Sequence, residues 1–171
     1  DCNDKKINIE KIKNDIIEIR KISKIPIDLH IISKTPSLYD AFLKEYKIEF
    51  VTYQEEDIIE KFTIPKIKET SFGISFVSKT RIENFEKYFN ACDFVLLMTT
   101  IPGESGGKFN SINFNKIRKF KLKYPTKSIH IDGGVPDEIA FILRTLGVKS
   151  VVSGSSIVKT NILNALKKIK S

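Results

Sequence analysis

The chain has 171 residues, 41% of them hydrophobic, enough for one buried core and consistent with a single domain over residues 1–171. Its net charge of +8 comes from Lys and Glu that are interleaved, as in Lys11, Lys13, Glu18, Arg20 and Lys21, so it reads as solvated helix faces and argues against a nucleic-acid surface. There is no run of about 18 apolar residues and no signal peptide, and Cys2 and Cys92 fit neither a disulfide framework nor a zinc motif; the expectation is a reducing, cytoplasmic setting without a membrane partner.

In chain order, the amphipathic stretch 7–23 predicts a helix, followed by an apolar, β-branched run at 27–32. A helix over 37–46 and a strand over 48–53 come next. The stretch 55–69 is a weaker helix, interrupted by Pro65. Strands over 72–77, 94–99, 128–132 and 150–153 alternate with helices over 82–89, 114–123, 136–146 and 161–169. Pro136 suits a helix first turn and Gly147 a helix C-terminus. Such alternation implies βαβ units and a parallel sheet. An open doubly wound sheet carries a Gly-rich turn after its first strand, and none is present. The glycines cluster late, after the last three strands, which favours an α/β barrel, (β/α)8, with a phosphate site at its final loops.

Three polar groups stand at or near strand carboxyl ends, where barrel active sites are built: Asp1, His30 in the run 27–32, and Asp132 before Gly133-Gly134. The two-residue strand period puts Asp28, His30 and Ile32 on one face and pairs His130 with Asp132. His130 lies one layer deeper and reads as structural. The glycines of 98–109, 131–135 and 151–156 let backbone N–H groups approach an anion closely.

These residues resemble the ribulose-phosphate 3-epimerase family, in order over nearly the whole chain. Asp1-Cys2-Asn3-Asp4 resembles its Asp-Val-Met-Asp segment, and Asp28-Leu29-His30-Ile31-Ile32 with Pro36 resembles its Asp-x-His-Leu-Met…Pro segment. Val95-Leu96-Leu97-Met98-Thr99 with Pro102-Gly103 and Gly106 resembles its Met-Thr…Pro-Gly loop. Ile131-Asp132-Gly133-Gly134-Val135 matches its Val-Asp-Gly-Gly-Val, and Val152-Ser153-Gly154-Ser155 its last phosphate loop. The resemblance implies a (β/α)8 barrel that is incomplete at the N-terminus, about six strands being present and roughly forty residues lying upstream. It implies epimerisation at C3 of a ketose phosphate, with Asp1 and Asp132 as the catalytic acids. It assigns Asp1, His30 and Asp132 to a divalent metal (Zn2+, Fe2+, Mn2+ or Co2+). His30, Met98, Gly106, Gly133, Gly134, Gly154 and Ser155 would contact the sugar phosphate, and self-association is left open.

The sequence departs from the family's pattern in several places. The His two residues before the first catalytic Asp would precede Asp1, Asn3 stands for Met, and Lys5 stands for Gly. Glu104 and Ser105 stand for Phe and Gly, and Val51-Thr52-Tyr53-Gln54-Glu55 replaces a His-containing segment. A relative that binds a sugar phosphate without turnover is the alternative reading.

Overall fold

The computed structural model describes residues 1–4, 8–104 and 106–154. The chain divides into two compact units, Asp1–Ser75 with Phe85–Asp93, and Phe76–Asn84 with Phe94–Ser171. The expected helix over 161–169, together with Ser105 and Ser155, lies outside the described residues.

The first unit opens with β1 (Cys2–Asn3) and α1 (Ile9–Ile22), continues through β2 (Asp28–Ile32), α2 (Asp40–Glu45) and β3 (Phe50–Gln54), and takes in β4 (Ser71–Val77) as far as Ser75. α3 (Glu86–Phe89) also belongs to it. α1 starts where Asn8 accepts a hydrogen bond from the Lys11 N–H at 2.9 Å, satisfying an amide the helix leaves open. Its inner face buries Ile12 and Ile16, one turn apart, each burial stabilising by roughly 1.5–3 kcal/mol. Arg20, in its last turn, pairs with Glu49 at 2.6 Å and donates to the carbonyls of Ile25 and Lys47, tying the helix to the entrances of β2 and β3.

The strands of this unit run parallel in chain order, with Cys2 opposite Ile31, His30 opposite Thr52, and Gln54 opposite Ser75. Four of the five residues in β2 and in β3 are buried, as parallel strands covered on both faces require. Tyr53, Phe42, Ile31, Leu43, Ile48 and Ile74 fill the core. The stretch 55–69 forms only one 3-10 turn, Glu55–Asp57, and then runs irregularly; Pro65 denies a helix its hydrogen bond there.

The second unit holds the last two residues of β4, then β5 (Phe94–Met98), α4 (Ile112–Lys123), β6 (Ser128–Asp132), α5 (Asp137–Thr145) and β7 (Ser150–Val152). β5, β6 and β7 are again parallel and in chain order. Leu97, Ile117, Phe120, Ile129, Ile131 and Leu143 are among its buried apolar residues. The six expected strands are present within two residues of their predicted ends. The additional β1 is too short to have shown as an apolar run.

Candidate active site

In the first unit, the pairing of Cys2 with Ile31 sets Asp1 beside His30. The Nδ1 of His30 lies 3.3 Å from Oδ1 of Asp1, with the His side chain 7% exposed and the Asp 46%. On its other side the ring is held by two buried polar residues of the neighbouring strands. Its Nε2 is 2.9 Å from Oε1 of Gln54 and 2.9 Å from Oγ of Ser75. Ser75 Oγ is in turn 2.8 Å from Gln54 Oε1 and 3.2 Å from the carbonyl of Tyr53. The amide nitrogen of Gln54 donates to the Glu56 carboxylate. Thr52 and Gln54 of β3, and Ser75 of β4, share His30's face by strand parity.

Asp28 occupies the same face, one layer below His30. Burial raises its carboxyl above the usual range, against the lowering pull of His30. Burial also pushes the Cys2 thiol up to about 11, so it behaves as a packed apolar group.

In the second unit, Met98 and Asp132 stand in register at the carboxyl ends of β5 and β6. Thr99 fastens these two ends together. Its backbone N–H donates to the Asp132 carbonyl at 2.7 Å, and its hydroxyl reaches the carbonyls of Asp132 and Gly133. Gly133 and Gly134 follow with φ of +107° and +58°, left-handed conformations that disfavour any side chain. A Cβ on Gly133 would lie 2.2 Å from Oγ1 of Thr100, and one on Gly134 would lie 2.5 Å from the Gly107 carbonyl oxygen. The Asp-Gly-Gly turn is therefore packed against the loop that follows Met98, and the Phe109 N–H donates to the Gly134 carbonyl at 3.2 Å. Gly106 also has a left-handed φ, +89°, while among the described residues nothing lies within 4 Å of a Cβ added to Gly106 or Gly154. The ring of His130 stacks on Phe94 at 4.5 Å and 15°, a packing role in keeping with its deeper position.

Asp1 and His30 are suited to be two ligands of a divalent ion. Their 3.3 Å spacing is close to the separation of two ligands on a tetrahedral ion with bonds of about 2.0–2.1 Å, and the far nitrogen of the ring is hydrogen-bonded. Among the described residues, no group of three or more His, Cys, Asp or Glu side chains is placed to hold a metal. Sequence reasoning named His30 without its partners. Gln54 entered only as a departure from a pattern, and Ser75 and Thr100 did not enter at all. The two-residue period of β3 and β4, laid beside that of β2, is the signal that could have found the first two.

The parts are those of an α/β barrel protein with acidic residues and glycine-bearing loops at the carboxyl ends of its strands. Comparison with solved structures agrees at the level of the fold. KGPDC from Streptococcus mutans superposes with a TM-score of 0.67 at 10% identity, covering 92% of this chain and 77% of that one. FabK from Thermotoga maritima superposes with a TM-score of 0.64 at 17% identity, covering 91% of this chain and 50% of that one. The sequence profile of the ribulose-phosphate 3 epimerase family matches residues 6–158. The ribulose-phosphate 3-epimerase of Bacillus subtilis is 31% identical over 147 residues, 81% of this chain and 68% of that protein. The cytoplasmic isoform from Oryza sativa is 29% identical over 152 residues, 83% of this chain and 65% of that protein. This chain belongs to the ribulose-phosphate 3 epimerase family.

Proposed function

We propose that the protein is an isomerase that epimerises C3 of a ketose phosphate, converting D-ribulose 5-phosphate to D-xylulose 5-phosphate in the pentose phosphate pathway of the cytoplasm. Family membership supports the reaction class. The observation that carries the site is the register of Met98 with Asp132 at the strand ends, followed at once by the tightly packed Gly133-Gly134 turn.

The proton on C3 lies next to the C2 carbonyl and is only weakly acidic. One of the two carboxylates, Asp1 or Asp132, takes it from one face of the sugar, and the other, in its acid form, returns a proton to the opposite face. This inverts C3 and leaves the pair in exchanged protonation states, ready for the reverse reaction. Met98 supplies an apolar wall beside the reacting carbons, which limits water near the exchanging proton. The backbone amides of Gly133, Gly134, Gly154 and Ser155, with Gly106 in addition, grip the phosphate and hold C3 in place. A divalent cation held by Asp1 and His30, whose spacing suits one, would add Lewis-acid stabilisation of the negative charge that develops on the sugar oxygens.

The test is formation of D-xylulose 5-phosphate from D-ribulose 5-phosphate, followed by a coupled assay with and without added Zn2+, Fe2+, Mn2+ or Co2+. Turnover lost by at least 100-fold in Asp132→Asn is the expected result. Binding of the sugar phosphate with no turnover under any metal would leave a binding protein in place of an enzyme.

A further inference from the structure

We propose that Gln54 and Ser75 are positioning residues that hold His30 in a single tautomer, with the proton on Nε2 and the basic nitrogen, Nδ1, turned toward Asp1. The inference rests on the reading that Asp1 and His30 belong to the active site, and it adds two residues that nothing in the family resemblance assigns.

The protons among these buried groups can be counted. His30 is 6% exposed, Gln54 1% and Ser75 0%, so water does not complete their hydrogen bonds. A carboxylate accepts only, so the end of Gln54 that faces Glu56 is its amide nitrogen. Oε1 of Gln54 is thereby the atom turned to the ring, 2.9 Å from Nε2, and it too can only accept. The Ser75 hydroxyl has one proton and two neighbouring acceptors, Gln54 Oε1 at 2.8 Å and the Tyr53 carbonyl at 3.2 Å. Whichever it serves, its lone pair is left toward Nε2 at 2.9 Å. Were the hydroxyl to donate to Nε2 instead, Gln54 Oε1 would face two lone pairs with no proton between them. Every arrangement that satisfies Gln54 Oε1 and the Ser75 hydroxyl puts a proton on Nε2, from which it is shared between Gln54 and Ser75.

The consequence falls at the other nitrogen. With Nε2 protonated, the lone pair of the neutral ring sits on Nδ1, 3.3 Å from Oδ1 of Asp1, and these two facing acceptors are what a divalent cation between them would satisfy. Glu56 orients Gln54, and Gln54 with Ser75 orients the imidazole. The electron pair offered beside Asp1 is thus set by a chain of three residues on β3, its following turn and β4.

The protein contains only two histidines, His30 and His130, which makes the test direct. Long-range proton–nitrogen correlation spectra of the 15N-labelled full chain at about pH 8, where an ordinary imidazole is neutral, report which ring nitrogen carries the proton. His130→Gln assigns the two sets of signals. The expected result for His30 is one pattern, protonated at Nε2. Gln54→Leu should lose that single pattern to a mixture of tautomers. Ser75→Ala should shift the Nε2 resonance without changing the tautomer, and it carries the test if Gln54→Leu does not fold. A proton on Nδ1 in the wild type, a doubly protonated ring at that pH, an unchanged tautomer in a folded Gln54→Leu variant, or an unmoved Nε2 signal in Ser75→Ala would each overturn the proposal. None of these readouts requires turnover, so a chain without epimerase activity could still carry the tautomer lock, and an active one could lack it.

Discussion

Gly134 and Gly154 differ in what a methyl group would meet, and the difference separates folding from binding. At Gly134 the backbone is left-handed and a Cβ would press on the Gly107 carbonyl and the Phe109 amide, neither of which can swing away. Gly134→Ala is expected to lower stability by about 1–3 kcal/mol and to weaken sugar-phosphate binding with it, as read by thermal unfolding and calorimetry. At Gly154 the added methyl meets nothing within 4 Å among the described residues. Gly154→Ala is expected to keep the wild-type melting temperature and to lose affinity for a sugar phosphate, because the methyl would occupy space the anion needs. Equal affinity in that variant would remove Gly154 from the phosphate site. His130 offers a pH signature of a different kind. Burial first, and the nearby Lys149 second, lower its pKa below the ordinary 6.5, so the unfolded chain binds the proton more tightly than the native one. The stability this contributes is complete above 6.5 and is lost as pH falls through the native value. Denaturant titrations from pH 8 to 5 should show wild type losing more stability than His130→Gln over that interval. At this scale, candidate residues stood out wherever a residue type is rare on an apolar strand, as with His30, or sits before glycines, as with Asp132. Gln54 and Ser75 were not, because a lone polar residue in a strand carries no sign of which neighbour it will face.

At the level of elements, α4 buries Asn113, Ile117 and Phe120 and also carries a lysine that gathers a loop. Its Lys116 reaches across to the end of β4, where the ammonium donates to the carbonyls of Val77 and Ser78, each at 3.0 Å, and to that of Thr80, while lying 4.6 Å from the centre of the Phe76 ring. The loop so gathered presents the Ser78 hydroxyl to the carbonyl of Met98 at 3.3 Å. Lys116→Met keeps the aliphatic stem and removes the charge that three carbonyls converge on. It is expected to cost about 2 kcal/mol and to raise amide exchange across 77–80, read by denaturant titration and hydrogen exchange. Unchanged exchange there would show that the loop stands without the lysine. The order and kind of elements could be read from alternating apolar runs and amphipathic stretches, and Asn8 as a cap explains why α1 begins where it does. The 55–69 stretch could not be read so well. Its apolar residues suggested a helix, but Ile64 is buried from an irregular chain and Pro65 follows it at once.

For the molecule as a whole, the family is legible in the sequence, because the Met-Thr…Pro-Gly and Asp-Gly-Gly segments occur in order within one chain. What it could not supply is the surroundings of the site, which depend on register between strands far apart in sequence, such as β2 against β4 through β3. The chain spans 65% of the rice relative and 68% of the Bacillus subtilis one, so activity must be measured on this protein in its own right. The most direct measurement of the two-acid account is exchange of the C3 proton of D-ribulose 5-phosphate with deuterated solvent, followed by NMR. The account predicts deuterium at C3 in both epimers with the wild-type protein, and at least a 100-fold slower appearance of label in Asp1→Asn and in Asp132→Asn. Absence of exchange in the wild type with every divalent metal supplied, or undiminished exchange after loss of either carboxylate, would contradict it.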